Sequence, residues 1–269
     1  MPEGDTIHRA ARTLRAALVG DRLTRVEVAR HPGPLPTTGS RVTGVEARGK
    51  HLLIHTSDGL SIHTHQRMTG SWHLYRPGER WRKSPRAARV ILATARVVAV
   101  CFAAPVVEVL DARGLARHPA LRRLGPDLCE PTADLDDAAT RLHRLSDPQR
   151  PVGEALLDQR IACGVGNVYR CDVLFLHQLH PWTPVGTVST REARALIDTS
   201  AQLLRDNVDR VRRTTTAGPE GSLWVHGRGG APCRRCATPV EVAPLGEQAR
   251  FAYWCPTCQP APPGHAATS

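Results

Sequence analysis

Apolar side chains recur every three or four residues between Asp5 and Val19, where Ile7, Ala10, Ala11, Leu14, Ala17 and Leu18 share one helical face. Asp5 or Thr6 is suited to cap the start of this helix. From Arg22 to Leu110 the period changes to two. RLTRVEV, RVTGVEA, KHLLIHT, LSIHTH, ARVILAT, RVVAVCF and PVVEVL alternate or run apolar between Gly, Pro, Asp and Ser breaks. This pattern predicts a β-rich domain of two packed sheets or a flattened barrel. Residues 111–133 are rich in breakers and read as a connection. Beyond them the period is helical again in DLDDAATRLHRL, PVGEALLDQRI, GNVYRCDVLFLHQL and STREARALIDTSAQLLRDNVDRVRR. The second of these helices is expected to end at Ile161 to Cys163, with Gly164-Val165-Gly166 turning the chain and Asn167 opening the next helix. The expected class is therefore α+β and multidomain. Residues 1–115 form a helix plus β-sandwich, 116–133 a linker, 134–220 a helical domain, 221–260 a metal ribbon, and 261–269 a disordered proline-rich tail.

The ribbon rests on four cysteines. Cys233 and Cys236, then Cys255 and Cys258, form two CxxC knuckles with 18 residues between them. That layout lets two short turns converge on one tetrahedral ion, and zinc is the expected occupant. Between the knuckles, TPVEV alternates, APLGEQA turns and Arg250-Phe251-Ala252-Tyr253-Trp254 returns, which predicts a hairpin with Arg250 on an ordered strand. Cys101, Cys129, Cys163 and Cys171 show no close pairing, as in a reducing compartment. With no secretory pattern at the start and no apolar run approaching the roughly 20 residues of a membrane span, the expected location is the cytoplasm.

Charge adds a partner. The net charge is +11 and the pI near 10.0, so polyanions should bind, and more weakly as salt rises. Residues 1–110 hold 17 basic and 8 acidic side chains (+9), whereas 111–269 hold 19 and 17 (+2). Of the basic residues 34 are arginine and two are lysine, Lys50 and Lys83. A lysine can exchange a proton where an arginine cannot. Lys50, fixed between Gly49 and the apolar strand HLLIHT, is the better candidate for chemistry.

At the chain start, removal of Met1, which a small second residue permits, makes Pro2 a terminal secondary amine. Roughly a third of such an α-amino group is neutral near pH 7.5, so it is a ready nucleophile. Glu3 could supply a carboxyl for proton transfer. The GVG turn into the helix opened by Asn167 is a candidate anion site, and no lysine follows it in the phosphate-loop pattern of nucleoside triphosphatases. His51, His55, His63 and His65 share strand faces in pairs, but no carboxylate or cysteine lies at ligand spacing, so they read as structural or phosphate-contacting.

Together MPEGDTIHRAARTL, ARGKHLLIH, HQRMTGSW, LLDQRIACGVGNVYRCDVLFLHQLHP and PCRRC with RFAYWCPTCQ resemble the formamidopyrimidine-DNA glycosylase and endonuclease VIII family, in order and over nearly the whole chain. The MPEGDT start and the short TTTAGPEGSLWVHGRGG segment are more similar to the endonuclease VIII branch, of the actinobacterial type. The resemblance implies a bifunctional base-excision enzyme with a helix-two-turn-helix domain and a structural zinc ion. Its implied site residues are Pro2 as nucleophile on C1′, Glu3 as proton shuttle and Lys50 as proton donor and phosphate contact. Met68 is the implied wedge in the gap left by a flipped nucleotide, and Asn167 and Arg250 the implied backbone clamps. Two departures stand out: DARGLARHP after Leu110 lacks an Arg-x-Phe-like pair to probe the opposite base, and Gln66 stands where an apolar residue is common. The expected substrate is damaged DNA carrying oxidised pyrimidines or abasic sites, with a preference for single-stranded, bubble or fork DNA over duplex. Oxidised purines, or damage binding without chemistry, are the alternatives. A nucleoid-associated monomer is the expected state.

Overall fold

The computed structural model describes residues 2–263; of the expected tail, 264–269 lie outside the described residues. The chain divides into two compact units, residues 1–123 and 124–269.

The first unit begins with α1 (Gly4–Leu18), whose N-cap is Glu3 and not Asp5 or Thr6. Eight strands follow: β1 (Arg25–Val28), β2 (Val42–Arg48), β3 (His51–Thr56), β4 (Leu60–His65), β5 (Ser71–Tyr75), β6 (Ala88–Ala93), β7 (Val98–Phe102) and β8 (Val106–Asp111). They pair antiparallel into two four-stranded sheets, ordered β1-β6-β7-β5 and β2-β3-β4-β8. Antiparallel sheets with one apolar face each stack to exclude water from that face. Ile7, Leu14 and Leu18 of α1 meet Val42, Val45, Leu52, Ile54, Ile62, Val90, Leu92 and Ala99 in one core.

The outer face of the β1-β6-β7-β5 sheet is also covered. Tyr75, Ile91, Val100 and Phe102 pack under Trp81 from the RWRKSP segment, and Lys83 Nζ donates to Ser71 Oγ at 2.8 Å. β5 is not among the predicted strands, although SWHLY alternates: Trp72 and Leu74 pack on the shared core, and Ser71, His73 and Tyr75 lie on the covered outer side. The breaker-rich stretch after β8 likewise holds a short helix, α2 (Ala112–Arg117), whose N-cap Asp111 accepts from the Gly114 N–H at 2.6 Å.

In the second unit, α3 (Leu135–Arg144), α4 (Val152–Ala155), α5 (Asn167–Leu176) and α6 (Thr190–Asn207) build a helical core around Leu142, Val165, Tyr169, Val173, Leu196 and Leu204. Two helices are shorter than their periodicity suggests. α4 ends at Ala155 and does not reach Ile161. Asp158 accepts from the Arg160 backbone at 3.0 Å, and the Gln159 amide donates to the Leu157 and Val165 carbonyls while accepting from Gly164 N–H. Side chains that satisfy nearby backbone groups compete with the helical ladder. α6 stops at Asn207, whose side chain accepts from Thr214 N–H at 2.7 Å and donates to the Thr214 carbonyl at 2.9 Å, folding VDRVRR back. The ribbon follows as the antiparallel hairpin β9 (Glu241–Leu245) and β10 (Arg250–Trp254), in which Arg250 faces Leu245.

Candidate functional site

Four sequence-derived candidates lie in the first unit. Pro2 and Glu3 lead into α1, and Glu3 is fully buried, its carbonyl accepting from Thr6 and Ile7 N–H at 3.0 and 3.1 Å. The helix packs along β2, where Arg15 Nε donates to the Val45 carbonyl at 2.9 Å. β2 and β3 are joined by a two-residue loop, Gly49-Lys50, closed by the Arg48 and His51 pair. The first position of such a loop needs a positive φ, and Gly49 supplies it at 58°. Lys50 therefore occupies a hairpin tip with little backbone freedom. Met68 sits in the β4–β5 turn with 64% of its surface exposed, whereas Gln66 is buried at 3%. An apolar side chain held in water on a structured turn is free to enter another surface.

Lys50 lies beside histidines. The His51 imidazole is pushed down to about 3, chiefly by burial and then by charge on His65, His63, His118 and Lys50. His65 is pushed down to about 4 by burial and then by the Lys50 ammonium and Arg67. No carboxylate lies at ligand spacing in the sequence, but pairing of β4 with β8 brings one to these rings. Glu108 on β8 accepts from His63 Nδ1 at 2.7 Å and from His118 Nε2 at 3.0 Å, and His51 Nδ1 meets His63 Nε2 at 2.8 Å.

This burial has a stability consequence. The folded state holds His51 and His65 below their ordinary pKa of 6.5, so the unfolded chain binds more protons in the interval beneath it. Stability is full above about pH 6.5 and falls as pH drops towards 4, by up to about 1.4 kcal/mol per pH unit from His51. Calorimetry at pH 7 and pH 5 should show a lower Tm at pH 5, and His51→Gln should shrink that difference. An unchanged difference in the variant would remove His51 as its source.

In the second unit the structure brings Asn167 and the Arg250 strand together. The Asn167 amide donates to the Phe251 carbonyl at 2.9 Å. Both are tied by a residue the sequence reading missed, Arg170, which is fully buried. Its guanidinium donates to the side-chain oxygen Oδ1 of Asn167, to the Phe251 backbone carbonyl at 2.8 Å and to the Arg250 backbone carbonyl at 3.4 Å. One turn of helix separates Asn167 from Arg170, so both reach the hairpin from the same face of α5. Arg250 itself is steadied by Gln248, which accepts from its Nε at 3.0 Å.

Asp172, also fully buried, accepts from Thr215 Oγ1 and from the backbone N–H groups of Trp224, Val225 and His226 at 2.8, 3.0 and 3.0 Å, which fixes the segment leading into the ribbon. Arg170 and Asp172 are the charged positions in the otherwise apolar run VYRCDVLFL. A buried charge needs partners, and that was the signal to follow.

Cys233, Cys236, Cys255 and Cys258 converge, with all four sulfurs within 4.8 Å of one another. The pairs Cys236–Cys255, Cys236–Cys258 and Cys233–Cys258 stand 3.4, 3.5 and 4.0 Å apart. A tetrahedral ion with metal–sulfur bonds of about 2.3 Å sets its sulfurs roughly 3.8 Å apart, so this donor set fits one thiolate-bound ion. Cys171, Phe175 and Val225 back the cluster, and the Arg235 guanidinium stacks 4.6 Å from the Phe175 ring.

A β-sandwich led by a proline-glutamate start, followed by a helical unit and a four-cysteine ribbon, defines the architecture of base-excision glycosylase-lyases. The formamidopyrimidine-DNA glycosylase N-terminal domain matches residues 1–117, and the helix-two-turn-helix domain of the same enzymes matches 124–218. Among curated relatives, a probable endonuclease 8 2 of Streptomyces coelicolor is 45% identical, over 97% of this chain and 95% of that protein. A DNA-(apurinic or apyrimidinic site) lyase of Mycolicibacterium smegmatis is 41% identical, over 97% of this chain and 100% of that one. A solved structure of Lactococcus lactis formamidopyrimidine-DNA glycosylase, bound non-covalently to DNA containing an AP site, shares the fold with a TM-score of 0.80 at 20% identity, covering 97% of this chain and 100% of that one. The chain belongs to the formamidopyrimidine-DNA glycosylase and endonuclease 8 family of DNA glycosylases and AP lyases.

Proposed function

We propose that this protein excises oxidised bases, chiefly pyrimidines, and cleaves abasic sites through a Schiff base on Pro2. The observation that best supports this reading is the pairing of a Pro2-Glu3 start on α1 with Lys50, one of two lysines in the chain, at the rigid β2–β3 tip. After loss of Met1 the Pro2 nitrogen attacks C1′, and the bond from C1′ to the base breaks as the base leaves with a proton. Glu3 shuttles protons at the opening sugar, and Lys50 donates a proton and holds the adjacent phosphate. The resulting iminium acidifies the C2′ proton, whose loss expels the 3′ phosphate, and a second elimination expels the 5′ phosphate. Asn167 and Arg250 grip the kinked backbone, and Met68 fills the vacated stack.

The relatives' names support the reaction class, and the electrostatic excess of residues 1–110 favours DNA. Cys233, Cys236, Cys255 and Cys258 would hold zinc, which when bound cross-links the two knuckles and holds the Arg250 hairpin in shape. A cytoplasmic, nucleoid-associated monomer fits the reading. Among the described residues, no helix is long and apolar enough to cross a membrane.

A preference for single-stranded or bubble DNA is part of the proposal. Residues after Leu110 fold as helix α2, without an Arg-x-Phe-like pair to fill the opposite-strand gap. Unstacking a base from intact duplex costs a few kcal/mol, so single-turnover excision of 5-hydroxycytosine should run roughly tenfold or more faster in a bubble than in matched duplex. Met68→Ala should widen that ratio. Equal or faster rates on matched duplex would refute the preference, and a purine-lesion rate above the pyrimidine rate would reverse the substrate assignment.

A further inference from the structure

The histidine cluster next to Lys50 has a directional hydrogen-bond order. Burial works to raise the Glu108 pKa, but hydrogen bonds from His63 and His118, with their charge, together hold it below the usual carboxylate range, so Glu108 is ionised and only accepts. His63 must then carry its proton on Nδ1 and offer a lone pair at Nε2, because a buried imidazole beside other histidines is neutral. His51, 2.8 Å away, must donate its Nδ1–H to that lone pair. This leaves His51 Nε2 unprotonated, as an acceptor. The far branch is fixed independently: the Leu121 N–H points at His118 Nδ1 at 3.2 Å, so His118 donates Nε2–H to Glu108.

One end of this chain lies by Lys50, whose charge is felt by both His51 and His65. The other end, Glu108, has 42% of its side chain exposed to solvent. We propose that His51, His63 and Glu108 form a proton relay between solvent and the surroundings of Lys50, with His118 as the residue that holds Glu108 in line. The inference rests on Lys50 acting as the acid of the reaction proposed above.

A proton taken up at His51 Nε2 releases the Nδ1 proton to His63 Nε2. His63 in turn releases its Nδ1 proton to Glu108, which becomes neutral and exchanges with water. Inward transfer starts from the tautomers this leaves, with Nε2–H on both rings: water protonates Glu108, Glu108 protonates His63 Nδ1, His63 passes its Nε2 proton to His51 Nδ1, and His51 releases its Nε2 proton towards Lys50, which restores the starting order. No imidazolium accumulates, which suits rings whose charged form is disfavoured by burial. The groups acting on His51 are Lys50 from its own hairpin, His63 and His65 from β4 and His118 after α2; Glu108 from β8 meets His63 and His118, and Arg67 acts on His65. From β2, Arg48 is paired with Glu46.

The test compares wild type with Glu108→Gln, Lys50→Gln and the double variant. Glutamine keeps an acceptor oxygen for the two imidazoles but cannot take a proton. Single-turnover base excision is followed across pH, with DNA affinity and Tm measured on each protein. Expected is about a tenfold loss and a displaced pH profile in Glu108→Gln at unchanged affinity, and no loss in the double variant beyond that of Lys50→Gln alone. A Glu108→Gln profile superimposed on wild type while Lys50→Gln is inactive would overturn the relay and leave the proposed reaction intact. A fully active Lys50→Gln would instead overturn the reaction assigned to Lys50.

Nitrogen-15 spectra of the histidine side chains give a readout independent of activity. The Nδ1–H tautomer at both His51 and His63 is expected in the resting protein, and Nε2–H at His51 together with Nδ1–H at His63 would leave no proton in the contact between the rings and overturn the relay. Metal content is the last arm: a second zinc per chain that disappears in Glu108→Gln would make the cluster a metal centre and overturn the relay.

Discussion

Borohydride should trap the wild-type protein on an abasic-site oligonucleotide, and Pro2→Gly should lower the yield of adduct by roughly 100-fold or more. The argument starts from the nitrogen. A terminal proline is a secondary amine, so the iminium it forms at C1′ carries a fixed positive charge, whereas a primary amine can lose that charge by shedding a proton. Its ring also ties the nitrogen to Cα through the side chain and so limits how the amine can turn ahead of α1, where Glu3 is buried as the N-cap. Glycine removes both features, and a reacting atom displaced by about 1 Å can by itself cost about 100-fold. A sharper version retains one residue ahead of Pro2. The nitrogen is then a tertiary amide without a usable lone pair, and trapping should vanish while DNA binding persists. Undiminished trapping by that extended chain would move the nucleophile to another amine, with Lys50 the first to test.

Removing the ribbon's metal should be the other large effect. Chelation, or Cys255→Ser, is expected to release one zinc per chain, to abolish hydrogen-exchange protection across β9 and β10, and to weaken DNA binding at least tenfold, with the β-sandwich core still folded. The hairpin is five residues a side, and two-stranded ribbons of that size are marginal without a staple. Thiolate-bound zinc contributes on the order of 10 kcal/mol in small zinc peptides, far more than the local packing of Leu245, Ala252 and Trp254 against Trp182 can replace. The loss does not stay in the ribbon. Arg170 depends on the Phe251 and Arg250 carbonyls, and a fully buried guanidinium deprived of acceptors destabilises α5 around Asn167. Intact exchange protection in β9 and β10 after complete metal removal would show that the hairpin stands without the ion.

Much of this was legible in the residues. Alternation or an apolar run marked seven of the eight strands; β5 escaped because its alternation spans only five residues, with serine and histidine on the side that Trp81 and its neighbours cover. The four cysteines were readable from spacing alone, since two short knuckles carry their own geometry. α4 was overextended because an apolar helical period does not register Asp158 and Gln159 turning back on the backbone. The Glu108 hub was invisible for a different reason. His63 and Glu108 lie 45 residues apart in sequence and become neighbours only through the pairing of β4 with β8, which no local pattern encodes. Arg170 carried a local signal, a charge in an apolar helix, but its partners on β10 lie 80 and 81 residues further on.

Arg170 also limits how the C-terminal unit can be recombined. Because one buried guanidinium joins Asn167 to the backbone carbonyls of Arg250 and Phe251, helix and ribbon are not interchangeable modules. A ribbon transplanted from another protein would keep its metal and its hairpin yet meet a cation cut to the shape of a different backbone. Successful chimeras should therefore exchange residues 167–170 and 250–251 as one cassette, with the junction placed outside both.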